Sequence, residues 1–179
     1  QTINHAEDTI IFVDDLILPL LDMLYDQIKG TVKKFVYISD KSEKPQTRIE
    51  PLYNYEELIK DQPAEFDWPH LNEDTYAVLF YTTGTTGLPK GVLFTHRQIY
   101  LQTLHLLTAM SMTPRLPDMP PEPVVNVPMV NVPLFHIHAW GAPWYYVVSA
   151  SKIVFPGRFT PESFCELVQT EKVTSTAMV

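Results

Sequence analysis

Residues Tyr81 to Gly91 read Tyr-Thr-Thr-Gly-Thr-Thr-Gly-Leu-Pro-Lys-Gly and follow directly on Ala77 to Phe80, an apolar run with the character of a buried strand. Glycine takes positive φ and lets backbone come close to a ligand. Successive N–H groups of such a run can therefore converge on an anion, while the hydroxyls and one lysine complete the cradle. The chain has only six glycines, and Gly84, Gly87 and Gly91 all fall in this stretch. The clustering points to polyphosphate. A ligand-free Gly/Thr-rich turn from strand to helix is the competing reading, but a turn needs one or two special residues rather than a whole ordered run.

The run is not the common phosphate-binding loop, whose lysine follows the last glycine and precedes serine or threonine. Here Lys90 lies between Pro89 and Gly91. Downstream, Asn131 to Gly141 read Asn-Val-Pro-Leu-Phe-His-Ile-His-Ala-Trp-Gly. The first stretch resembles the signature of the AMP-binding, acyl-adenylate-forming family, Tyr-Thr-(Ser/Thr)-Gly-Thr-Thr-Gly-x-Pro-Lys-Gly, at every position. The second resembles that family's next motif, Pro-(Leu/Met)-Phe-His-x-x-x-x-Gly, in the same order and at the family's spacing. Within the family the likeness is greatest to medium- and long-chain fatty acyl-CoA ligases.

Composition is compatible with that resemblance and excludes other classes. At 179 residues, 45% hydrophobic and 12% aromatic, the chain can bury a core. A net charge of −8 leaves no basic stripe for nucleic acid, so an anionic ligand has to be held locally. No uncharged apolar run is long enough for a membrane helix, and the polar start Gln1 to Asp8 lacks the layout of a signal peptide. The single cysteine, Cys165, has no partner for an internal disulfide and suits a cytoplasmic setting; it reads as a small apolar helix residue beside Phe164 and Val168. The missing initiator methionine and the apolar last residues read as those of a fragment.

Strand-like and helical patterns alternate along the chain. Ile10 to Val13 is β-branched and aromatic; Asp14 and Asp15 can cap a helix carrying Ile17, Leu20, Leu21, Leu24 and Ile28 at a 3.6-residue period. Lys34 to Ser39 is the next strand, and Asn54 with Glu57 predicts a capping box for a short helix ending near Lys60. Tyr76 to Thr82 delivers the phosphate loop, and Thr95 to Met110 predicts an apolar helix. Val124 to Val130 and Lys152 to Phe155 read as strands, and His138 to Val148 as a helix. Thr160 with Pro161 starts a helix over Glu162 to Lys172. This β-α alternation predicts an α/β fold, a mostly parallel sheet with helices on both faces. Thr113 to Pro133 holds seven of the sixteen prolines, which excludes a regular helix there; a surface connector and a substrate-side or oligomer contact both remain open.

The resemblance implies a reaction in two halves. A carboxylate attacks the α-phosphate of ATP to give acyl-AMP and pyrophosphate, and coenzyme A then displaces AMP. Charge neutralisation matters more here than a protein nucleophile. By the same resemblance Thr83, Gly84, Thr85, Thr86 and Gly87 enclose phosphate, Lys90 meets the leaving pyrophosphate, and Thr82 contributes to a Mg2+ site, an ion that favours oxygen ligands. A strand-end hydroxyl bonded to backbone is the alternative for Thr82.

Val124 to Ser151 contains no lysine, arginine, aspartate or glutamate, the character an acyl chain requires. His136 within it is a core histidine on bare statistics; the resemblance instead sets it beside the substrate carboxylate, adjusting between the half-reactions. His136-x-x-x-Trp140 resembles the pattern of bacterial long-chain fatty acyl-CoA ligases, and that resemblance implies Trp140, with Ile137, near the nucleotide and at the mouth of an acyl tunnel, as a gate. A core tryptophan is the equal alternative. Gly141 reads as a close-packing position near the substrate.

The chain lacks the family's later nucleotide-binding segment, its ribose-holding aspartate, the hinge and the C-terminal domain with its adenylation lysine. A central fragment of the N-terminal domain, inactive alone, is therefore the expectation, with the parent an ATP-dependent fatty acid:CoA ligase, a homodimer in many relatives. An aryl- or short-chain acyl-CoA ligase, or a nucleotide-binding module without activity, are the alternatives.

Overall fold

The computed structural model describes residues 1–41, 43, 45–82, 87–112 and 125–177, with backbone alone at Ile137, His138, Trp140 and Ala177. It divides into two compact units, Gln1–His70 and Leu71–Val179.

The first unit holds α1 (Thr2–Ala6), β1 (Ile10–Asp14), α2 (Leu18–Ile28), β2 (Lys34–Ile38), β3 (Leu52–Asn54) and α3 (Tyr55–Ile59). Its strands form a parallel sheet in the order β1-β2-β3, with Ile10 opposite Lys34 and Phe35 opposite Leu52. Parallel neighbours need a crossover, and α2 supplies it between β1 and β2. Leu18, Leu21 and Ile28 of α2 pack with Val13, Phe35 and Tyr37 into one buried cluster. Asp14 does not cap α2 as expected. Its carboxylate accepts from the N–H groups of Leu16 and Ile17 at 3.0 Å each, closing the turn before the helix, and α2 starts at Leu18 with Pro19 in its first turn. Proline there has no N–H to cap. Asn54 does cap α3, accepting from Glu57 N–H at 3.1 Å.

The second unit holds β4 (Tyr76–Thr82), β5 (Lys90–Thr95), α4 (His96–Met112), β6 (Pro128–Val130), α5 (Ile137–Val148), α6 (Pro161–Thr170) and β7 (Ser175–Ala177). β6 and β7 run parallel, and α5 and α6 cover opposite faces of this layer. Met129 lies with Phe164, Leu167 and Val168 of α6, whereas the next residue, Val130, lies in the cluster that includes Ala142 and Tyr146 of α5. That is the two-residue period of a strand turned into a three-layer arrangement. Thr160 caps α6 in a reciprocal box with Ser163, and Pro161 occupies the first turn as expected.

Lys90–Thr95 returns antiparallel to β4 as β5, a strand left unassigned from sequence between the loop and the helix that follows. Two details differ from the sequence reading. Lys152 to Phe155 is reduced to one parallel bridge, Val154 with Met129. Cys165 lies on α6 but is exposed, because its neighbours Phe164, Leu167 and Val168 take the core-facing positions. The α/β class and the predominance of parallel pairing hold, with the β4–β5 hairpin as the antiparallel exception.

Candidate functional site

The candidate site is built on the β4–β5 hairpin and the start of α5, both in the second unit. In the hairpin, Phe80 faces Val92, Tyr81 faces Gly91 and Thr82 faces Lys90. Phe80 and Phe94 fasten one face with ring centroids 5.9 Å apart. On the other face a side chain at Gly91 would put its Cβ 3.0 Å from Leu79 Cδ1 and 3.6 Å from Tyr81 Cε1. Glycine at position 91 therefore lets the strand carry Lys90 close against β4. The next helix starts with a reciprocal box that the sequence reading missed: Gln98 N–H donates to Thr95 Oγ1 at 3.2 Å, and Thr95 N–H to Gln98 Oε1 at 2.9 Å.

Thr82 and Lys90 thus stand at the two ends of the Gly/Thr-rich loop, on one face of the ladder. The Thr82 hydroxyl lies 3.5 Å from the Lys90 carbonyl, the long limit of a hydrogen bond, and both residues are exposed. An exposed hydroxyl with so weak an internal partner fits a hard cation, and an exposed ammonium beside it fits phosphate. Gly87 has φ 150°, a backbone that glycine adopts and side chains resist. Thr83, Gly84, Thr85 and Thr86 lie outside the described residues. No group of three or more His, Cys, Asp or Glu suited to a metal ion occurs among the described residues.

His136 is not a core residue. It is exposed and stands at the N-cap of α5, its N–H donating to the Pro133 carbonyl at 2.9 Å. The first turn of α5 is irregular: Ala139 has φ 47° and Gly141 φ 84°, and Pro143 lies inside the helix. Left-handed backbone at a non-glycine residue persists where packing holds it, and Ala139 is buried beside Val130 and Val132. A Cβ on Gly141 would meet Gln102 Nε2 at 3.5 Å and Leu106 Cδ1 at 3.7 Å, so α4 and α5 cross closely at this glycine. For Ile137 and Trp140 only the backbone in α5 is placed.

One feature escaped the sequence reading. A largely apolar cavity of about 250 Å3 lies between α4, β6 and α5. Its floor is Met129, Val130 and Val132; Leu106 and Met110 of α4 form one wall, and Ala139, Ala142 and Tyr146 of α5 another. The signal was present in Ala139-x-Gly141-Ala142, three small residues that leave space where α5 meets α4. Burial pushes the Tyr146 phenol up, and the neighbouring Tyr145 adds to the shift. It therefore stays neutral at ordinary pH.

The family model described as "AMP-binding enzyme" matches residues 1–179. The chain is 37% identical over 173 residues to the 3-methylmercaptopropionyl-CoA ligase of Ruegeria lacuscaerulensis, covering 96% of this chain and 30% of that protein. It is 35% identical over 180 residues to the long-chain-fatty-acid–CoA ligase of Thermus thermophilus, covering 99% and 30%. The chain therefore spans about 30% of the length of these relatives. Among solved structures, a red-emitting luciferase from Phrixothrix hirtus superposes with a TM-score of 0.71 at 22% identity, over 98% of this chain and 32% of that one. At that identity the likeness speaks for the fold.

Proposed function

Because the chain belongs to the AMP-binding enzyme family, we propose that it is the central part of the N-terminal domain of an ATP-dependent fatty acid:CoA ligase. The observation that carries this reading is the pairing of Thr82 with Lys90 across the two ends of the phosphate-loop motif. The hairpin holds a cation and a hydroxyl where a triphosphate entering the loop would meet both. Lys90 neutralises charge on the departing pyrophosphate, as a preorganised cation does where negative charge develops. Mg2+, when bound, would spread further phosphate charge, with Thr82 as a ligand.

His136, exposed at the head of α5, borders the acid's carboxylate in this proposal, and Ile137, Trp140 and Gly141 line the passage from nucleotide to acyl group. The 250 Å3 cavity beside them supports an apolar acyl substrate, since its floor and walls carry no charged residue. ATP and coenzyme A are the co-substrates. No helix among the described residues is long and apolar enough to cross a membrane; the cytoplasmic setting and the homodimer expected of the family belong to the same proposal. A second reading, a ligase for a smaller acid, is favoured by the 37% identity to a 3-methylmercaptopropionyl-CoA ligase.

The test is ATP-dependent pyrophosphate release and CoA thioester formation by the whole protein over acids from acetate to palmitate. Pyrophosphate and thioester in equal amounts support the ligase. Pyrophosphate without thioester points to another acceptor, and neither on any acid leaves a nucleotide-binding module.

A further inference from the structure

We infer that Asn131 is a positioning residue for the acid side of the site: its carboxamide fastens the chain just past β6 to Thr176 of β7 and so fixes where the turn to His136 begins. This rests on the reading of the protein as an acid-activating ligase, and it adds a residue that lies before the second motif, which starts at Pro133. The β6–β7 ladder ends, among the described residues, at Val130 opposite Ala177. The next two residues are nevertheless held, each on its own face. Val132 is 4% exposed and lies with Val130 and Ala139 on the α5 side. Asn131, between the two valines, takes the other face by the two-residue period of extended chain, and its Nδ2 donates to Thr176 Oγ1 at 2.6 Å. Pro133 follows, and its carbonyl accepts from His136 N–H at 2.9 Å. A shift at Asn131 therefore reaches His136 through one buried valine and one turn.

Thr176 fixes which way the amide faces. Its single hydroxyl proton goes to the Met129 carbonyl at 3.0 Å, so it accepts from Asn131, and the amide must turn its NH2 group toward β7. Asn131 Oδ1 is then enclosed, with no hydrogen-bond partner among the described residues. An enclosed acceptor without a donor is unfavourable, and an apolar side chain of similar size avoids that penalty. Thr176 is exposed, so water can take the place of the amide on its hydroxyl. Stability alone would thus favour valine at position 131, as at positions 130 and 132. The carboxamide is explained by what it holds in place.

The experiment measures KM for octanoate, KM for ATP and the melting temperature of the whole protein carrying Asn131→Val, Thr176→Val or both. Asn131→Val should raise KM for octanoate by roughly tenfold, the scale of a small misplacement beside a reacting group, and leave KM for ATP within about twofold. The split is expected because Thr82 and Lys90 stand on the separate β4–β5 hairpin. The melting temperature should hold or rise. Thr176→Val removes the same bond from the other side, so it should reproduce the octanoate effect, and the double variant should add little to either. An octanoate KM that stays put, or that rises in step with the KM for ATP or with a falling melting temperature, overturns the inference and leaves the ligase intact. Wild type inactive on every acid overturns both. Thr176 is exposed, so its variant tests the bond even if Asn131→Val folds poorly.

Discussion

Thr82 and Lys90 are cross-strand partners at the loop end of the β4–β5 hairpin, the threonine hydroxyl 3.5 Å from the lysine carbonyl. The strand that follows Lys90 returns along β4 before α4 begins, so Thr82 and Lys90 face each other across the ladder rather than standing at a helix N-terminus.

Lys90→Ala should therefore reduce the adenylation half-reaction more than any other single change in the hairpin. A charge-assisted phosphate contact contributes roughly 1.5 to 3 kcal/mol, so acid-dependent pyrophosphate release should fall by about ten- to a hundredfold. The exposed side chain makes no packing contribution, and the melting temperature should be unchanged. A variant that releases pyrophosphate at the normal rate would remove Lys90 from the site.

Gly91→Ala tests the close approach of the strands. Its new methyl would sit 3.0 Å from Leu79 Cδ1, so the leucine must shift, at a cost of roughly 1 kcal/mol or more. A lowered denaturation midpoint in the whole protein, relieved by Leu79→Ala in the same chain, is the expected result. An unshifted midpoint would show that the strands have slack here.

The two motifs were legible as residues because their chemistry is local: glycines, hydroxyls and a lysine in order need no tertiary information. The return strand was not. Val92-Leu93-Phe94 is a β-favouring run, but two of the three are exposed, and nothing local distinguishes it from the entry to the apolar helix that follows. For His136 the residue type alone suggested a core position and the motif a position beside the substrate; the residue is exposed at the head of α5, where the turn through Ala139 and Gly141 takes positive φ. The cavity is a property of two helices and a strand together, which only packing reveals.

Asn126 joins the start of β6 to the segments entering β7 and the Val154 bridge. Its carboxamide accepts from Thr174 Oγ1 at 2.9 Å and donates to Ser151 Oγ at 3.3 Å, and its carbonyl accepts from Lys152 N–H at 3.0 Å. Asn126→Ala leaves the part-buried Ser151 hydroxyl and the exposed Thr174 hydroxyl without that partner and should cost about 1 kcal/mol. Equilibrium unfolding by urea checks it; a loss below a few tenths would mean water replaces the amide freely.

Asp15 gives a pH prediction. The Tyr37 hydroxyl first, then Ser39 and the Lys41 ammonium, hold its carboxyl below the ordinary carboxylate range. A depressed folded value means that the contribution is present above the unfolded pKa and lost as pH falls through the folded one. Asp15→Asn should therefore lower stability at neutral pH and flatten the acid limb of the stability curve. A parallel curve at all pH values would exclude the network as its cause.

The central claim is that this chain supplies the phosphate-handling part of an acid:CoA ligase. It is tested most directly by measuring pyrophosphate and CoA thioester together from the whole protein, wild type and Lys90→Ala, with octanoate and ATP. The account predicts equimolar products from wild type and a matched fall in both for the variant. Thioester formation undiminished by the loss of Lys90, or no acid-dependent pyrophosphate from wild type, would contradict it.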